Sequence, residues 1–260
     1  TTDFSGFSNG ANVEGATFNA GSLAEFVATS AGNNLGLRIF DTTPGGVNQN
    51  QGDNDLLLPG YGNALILQDK HNPGSQPNDA SEGGTISFAF VAATQLVSID
   101  LIDIDRGART TITLTDGDGD TRVFNVPNNW TGERGHQGST GVGTLDLAAN
   151  NQVGFKSKVA TFSDTGLFDL AGVVSMDIYF RGSAALDNLI AYAPNPGPMV
   201  PLPAGGALAL VDRRLEHDLG AADHEPLAPL REPVVAEPER AQVVLPTLLV
   251  PTHVDAVVDV

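Results

Sequence analysis

"TISFAFVAATQLVSIDLIDID" (Thr85–Asp105) decides the fold class. Its first part, Thr85–Val91, puts Ile86, Phe88 and Phe90 on one side and small or polar residues on the other. A period of two over that length marks a half-buried strand. Leu96–Asp105 reads as a second strand, in which Ile99 and Leu101 share a face with Asp103 and Asp105. That face therefore turns from apolar to carboxylate at the strand's end.

The same pattern spreads outward. Arg109–Val126 reads as a hairpin, with Ile112 and Leu114 before an Asp/Gly turn and Val123 and Val126 after it. Asn63–Asp69, Val173–Gly182 and Leu186–Tyr192 read as further strands. Only Ala20–Gly32 has a helix-like stretch. Turn signals recur roughly every ten residues, which suits a sandwich. The expected fold class is all-β: an antiparallel two-sheet, jelly-roll-like sandwich with a largely unstructured C-terminal tail.

The tail follows from proline. Of the 16 prolines, only Pro44, Pro59, Pro73, Pro77 and Pro127 precede Ala193. "PNPGP" (Pro194–Pro198) then marks a linker. Beyond it, Pro238, Pro246 and Pro251 remove the donors that a helix or ladder needs. Three parts are expected: a β-sandwich over 1–193, a Pro/Gly linker with a short apolar motif over 194–211, and a Pro/Glu-rich tail over 212–260.

Composition narrows the function classes. The chain has 260 residues, 31 acidic and 13 basic, for a net charge of −18. Nucleic acid is a poor partner for such a chain, because phosphate neutralisation needs clustered Lys and Arg. Anionic membrane surfaces are poor partners for the same reason. The charge suits a salt-tolerant exterior that attracts cations. With no cysteine there is neither a disulfide nor a thiolate metal site. "TTDFSGFSNG" (Thr1–Gly10) lacks the basic start and apolar run of a signal peptide, leaving a cytosolic chain or a mature secreted one.

Enzyme motifs are weak. "GFSNG" (Gly6–Gly10) matches G-x-S-x-G, but a nucleophile elbow needs a strand before it and a helix after it. Neither is present in the sequence. The five histidines, His71, His136, His217, His224 and His253, show no ligand spacing.

The aspartates carry more. Calcium takes six to eight oxygens, which Asp and Asn in Gly-rich loops supply. "DGDGD" (Asp116–Asp120) opens like an EF-hand, yet its twelfth position is Pro127, so a hairpin turn is preferred. "LIDIDRG" offers Asp103 and Asp105, either as ligands or as a solvated strand end. "GDNDLLLP" offers Asp53 and Asp55, as a ligand loop or a polar turn. Asp41 and Asp187 complete the candidate metal set. Trp130, the single Trp, either stacks on a sugar or pins a long loop to the sandwich.

Two stretches resemble known families. "VPLPAGGALAL" (Val200–Leu210) resembles the start of the VPLPA-CTERM sorting signal, a relative of PEP-CTERM on exported proteins of Gram-negative bacteria. There a Pro motif leads into one apolar helix and an Arg cluster. Here Asp212, Arg213 and Arg214 interrupt the run well short of the roughly 20 residues a span needs. No stable membrane insertion is expected in this form, and the abrupt switch predicts a frameshifted or recombined tail. Roughly residues 35–192, through the motifs between Ile39 and Asp120 and "GSAALDNL" (Gly182–Leu189), resemble a β-sandwich domain of exported bacterial proteins. In such jelly rolls a D-N pair, here Asp187 and Asn188, lies near a structural calcium.

The resemblance implies an extracellular or cell-surface location and no catalytic activity. The expected function is a secreted, calcium-stabilised binding or matrix module for extracellular polysaccharide. The alternatives are a structural surface protein without a ligand and, last, a polysaccharide-acting enzyme. Asp103 and Asp105 would lie about 7 Å apart on one strand face, whereas acid and base must flank a bond.

Overall fold

The computed structural model describes residues 2, 4–20, 24–49, 53–72, 76–104, 109–132 and 141–192. The linker, the sorting-like motif and the tail lie outside the described residues, as do Asp105 and His136. The chain divides into two units, Thr1–Val200 and Pro201–Val260, and every described residue belongs to the first.

The described chain is strand and turn apart from two single-turn 3-10 helices, Asn54–Leu56 and Phe155–Ser157. Twelve strands follow one another: β1 (Thr17–Ala20), β2 (Ala24–Ala31), β3 (Asn34–Asp41), β4 (Asn63–Asp69), β5 (Gly84–Ile102), β6 (Thr110–Asp116), β7 (Thr121–Val126), β8 (Val142–Asp146), β9 (Gln152–Val153), β10 (Val159–Asp164), β11 (Val173–Phe180) and β12 (Ala185–Tyr192). All pairings are antiparallel. Among the described residues no helix is long and apolar enough to cross a membrane.

The two expected strands at Thr85–Asp105 are one. β5 runs 19 residues and belongs to both layers. Its first half lies between β2 and β11, in the order β1-β2-β5-β11-β6-β7-β10. Its second half lies between β12 and β8, in the order β3-β4-β12-β5-β8. No Gly, Pro or Asn interrupts "VAATQ", so nothing turns the chain there. Val91, Ala92 and Ala93 are exposed where the strand passes from one layer to the other.

Bulges then set the phase. Ile190 pairs with Ser98 but Ala191 pairs with Leu96, so Val97 is an extra residue. After it Ile99 and Leu101 face the interior while Asp100 and Ile102 face out. The mirror event in β12 falls at Asn188, whose φ is 50°. Left-handed backbone is tolerated best by Gly and Asn.

The helix-like reading of Ala20–Gly32 is corrected: Ala24–Ala31 is β2, paired with β1 and β5. Phe26 and Ala28 point inward while Glu25 and Thr29 are exposed. That alternation decides against the weak local helix propensity. The predicted hairpin at "DGDGD" is present as β6, a turn and β7. Asp116 forms the turn, accepting the N–H groups of Asp118 at 3.0 Å and Asp120 at 2.9 Å.

The main core lies between the layers. Phe18, Phe26, Phe88 and Phe90 form an aromatic chain with centroids 5.2 to 5.7 Å apart. A second, smaller core lies on the outer side of the β3-β4-β12-β5 layer. The loop after β3 lays Leu56, Leu57 and Leu58 over Phe40, Ala64, Ile66, Ile102 and Ala185. The loop is held there by the Leu58 N–H donating to the Thr42 carbonyl at 2.7 Å. This explains why β4 is apolar without alternating: both its faces are covered.

Candidate functional site

Three places carry concentrated chemistry, and the aspartates form two of them. Asp53 lies against a residue the sequence reading passed over, Asp79, and the charges of Asp55 and Asp103 are felt there. The Asp79 N–H donates to Asp53 Oδ2 at 2.8 Å, and Ser183 Oγ donates to Asp79 Oδ2 at 2.5 Å. With its amide nitrogen toward the carboxylate, Asn78 donates to both Asp53 oxygens. Burial pushes the Asp53 carboxyl up to about 6; the Asp79 N–H opposes this, and repulsion from Asp55 and Asp69 adds to it. Burial also drives Asp79 well above the usual carboxylate range, helped by the charges of Asp53, Asp55 and Asp103.

Asp103 does not continue the face of Ile99 and Leu101, which corrects the expectation. The strand stops at Ile102, and Asp103 takes φ 49°. Its N–H donates to the Gly141 carbonyl at 2.8 Å. The left-handed turn shifts the side-chain phase by one, so Ile104 enters the core instead. Asp105 lies outside the described residues.

Asp187 belongs to a different place. It is fully buried and stands directly opposite Asp100 on β5. Asp100 accepts from Thr144 Oγ1 at 2.5 Å and Asn188 Nδ2 at 2.9 Å. Like charges directly opposite are destabilising, and nearby Tyr61 feels them. Its hydroxyl is pushed up by burial, then by Asp100 and Asp187. The Asn188 amide nitrogen donates to Asp100. Asp41 shapes its own turn, accepting the Thr43 N–H at 2.9 Å. Among the described residues no group of three or more His, Asp or Glu side chains is placed to hold a metal ion.

Trp130 is 3% exposed. Its Nε1 donates to the Gln152 carbonyl at 3.2 Å, and its own carbonyl accepts the Phe155 N–H at 2.8 Å. Gly143 and Gly154 lie against the ring so closely that a Cβ on either would come within 2.4 and 2.5 Å. The pinning reading is the one this geometry carries. A groove of about 460 Å³ opens beside the ring, walled by Thr144, Gln152, Phe155 and Lys156.

The third place is the outer face of the β11-β6-β7-β10 layer. Tyr179 is 48% exposed there. It stands opposite Thr85 on β5 and Thr111 on β6; Thr111 faces Asn125, which faces Thr161. One aromatic and a row of short hydroxyl and amide side chains therefore cross five strands. A second groove, of about 340 Å³, follows that row between Arg109, Asn125, Asn128 and Thr161. The signal for Tyr179 was available in "VVSMDIYFRG": Met176, Ile178 and Phe180 face inward, so Tyr179 must face out.

The weak enzyme motif stays weak. Gly6–Gly10 is a run of turns leading into an extended segment, with no helix after Ser8. His71 is exposed, 3.8 Å from Glu82.

No family model matches the chain, and no curated protein matches it. Among solved structures, an exo-beta-agarase is similar at a TM-score of 0.32 and 11% identity. The match covers 68% of this chain but only 24% of that one. At that score the likeness carries no argument about activity.

Proposed function

We propose that this sandwich is a non-catalytic carbohydrate-binding module of an exported bacterial protein, serving at the cell surface or in the extracellular matrix. The observation that carries this reading is the outer face at Tyr179. Sugar rings present an apolar C–H face and a rim of hydroxyls. A half-exposed aromatic beside a row of Thr and Asn side chains meets both requirements, and the adjoining groove falls within the usual range of ligand-pocket volumes. Export rests on the resemblance of Val200–Leu210 to a sorting signal.

Calcium is proposed as a stabilising ion only, at the Asp53–Asp79 end, where buried carboxylates repel one another. No binding step is routed through it.

A glycan array probed with the full chain tests the function, followed by titration of each hit against Tyr179→Ala. Truncating an exposed ring leaves the melting temperature unchanged. It should weaken binding on the order of tenfold, which is about 1.4 kcal/mol. Equal affinity in the variant overturns the assignment of the face. A blank array at millimolar calcium leaves a structural surface protein without a ligand.

A further inference from the structure

The chain is strongly acidic, yet its cations are not spread evenly. Lys70 is paired with Glu82 at 2.7 Å and Arg122 with Asp164 at 3.2 Å. Arg38 donates to the Gly10 carbonyl at 2.9 Å. The remaining Lys and Arg side chains among the described residues are Arg109, Lys156, Lys158 and Arg181. None of them has a carboxylate partner there, and all lie at one end of adjacent strands.

The topology fixes this. Arg109 precedes β6 and Arg181 follows β11; Phe180 pairs with Thr110, and the Arg181 N–H donates to the Arg109 carbonyl at 3.2 Å. Thr110 in turn pairs with Val126 at the end of β7, next to Asn128. The Lys158 ammonium donates to both Asn128 oxygens, backbone and side chain, just before β10. Lys156 holds its ammonium 5.1 Å from the Phe155 ring. Arg109, Lys156 and Arg181 are exposed.

Among the described residues few acids come near: Asp177, two residues before Tyr179 on the same face, accepts from Ser87 Oγ at 2.5 Å. Residues 109–111, 125–132, 152–161 and 178–182 contain no Asp or Glu. Neither groove is lined by one. Asp116, Asp118, Asp120 and Asp164 gather at the opposite ends of the same strands. This end is therefore a local basic surface on an acidic molecule, and it adjoins the row at Tyr179.

We infer that this end of the sandwich binds the carboxylate or sulfate groups of an acidic polysaccharide and selects such chains over neutral ones. The inference rests on the carbohydrate reading above and names its ligand class. Arg109 lines the second groove, Arg181 is tied to Arg109 through its backbone N–H, and Lys156 lines the first. Residues 155–161 wall both grooves, so a chain crossing them meets cations on either side. An acidic sugar chain carries about one charge per residue. Duplex DNA carries one per about 1.7 Å, so the overall charge of −18 repels the denser polyanion more strongly.

The test uses the full chain against alginate, a sulfated galactan, neutral agarose and a DNA oligomer, at low and at physiological salt. The comparison protein is the triple variant Arg109→Gln, Lys156→Gln, Arg181→Gln, whose exposed positions leave folding intact. The expected result is binding to the acidic chains that weakens on the order of tenfold both with salt and in the variant. Equal binding to agarose, unchanged in the variant, overturns this inference and leaves the carbohydrate reading standing. No binding to any polysaccharide overturns both. DNA binding as tight as alginate binding overturns the selectivity claimed here.

Discussion

Asp53 offers the sharpest test of the structure, because its carboxyl is displaced from 3.8 to about 6. A raised carboxyl means that the folded state holds a proton the unfolded chain has released. Its stabilising contribution is complete below about pH 4 and is lost as the pH rises through 6. Each pH unit of displacement is worth about 1.4 kcal/mol, so the ceiling is about 3 kcal/mol. Asp53 is only half-buried, and solvent screening reduces this to roughly 1.5 kcal/mol. For a domain of this size that corresponds to about 3–6 °C in melting temperature. Asp79, displaced in the same direction, adds loss at higher pH. Thermal melts between about pH 4.5 and 7.5, in about 0.15 M salt to screen the general repulsion, should therefore fall with pH. Asp53→Asn should fall less steeply, by roughly the 1.5 kcal/mol assigned to Asp53, since Asn has no proton to lose while Asp79 keeps its own. Parallel curves for variant and wild type would show that the Asp53–Asp79 contact is not what titrates. Asp116 makes a useful contrast. The backbone N–H of Asp169, then those of Asp120, Asp118 and Gly119, hold it below the usual range. Its contribution is present above about pH 4 and lost only on acidification below that.

Two further predictions follow from packing and charge. Gly143→Ala should cost about 2 kcal/mol, roughly 6 °C, because the new methyl meets the Trp130 ring and Gly154 leaves that ring little room to withdraw; an unchanged melting temperature and Trp emission maximum would refute this. Calcium at 100 times its dissociation constant should stabilise by about 2.7 kcal/mol near pH 7.5, and Asp79→Asn should abolish the response; identical melts in calcium and in chelator would remove the ion from the account.

The strands were legible because each rests on a local alternation that the fold did not contradict. Asn63–Asp69 and Val173–Phe180 appear where the pattern puts them. What failed was phase. The bulges at Val97 and Asn188 and the left-handed Asp103 each shift the side-chain alternation, and no simple period records that. Asp103 was thus read onto the wrong face, while the facing pair Asp100 and Asp187 went unseen, since it depends on register between strands far apart in sequence. Asp53, Asp55 and Asp103 were chosen for composition, and of these Asp53 is hydrogen-bonded to a further acid. That acid, Asp79, stands in "PNDASEGG" with nothing local to distinguish it. Tyr179 was recoverable from its parity alone, and the basic end only from knowing which strand ends are neighbours.

The sharing of β5 has a consequence for how the molecule comes apart. In a sandwich of two separate sheets, one sheet can fray while the other persists. Here a single strand supplies backbone partners to β2 and β11 at one end and to β12 and β8 at the other. Peeling away either layer frees half of β5 and leaves the other half anchored only by its own neighbours. Amide protons of Phe88 and Leu101, in different layers, should then exchange with one common opening energy. The two layers would behave as a single cooperative unit, closed by a strand that neither can surrender alone.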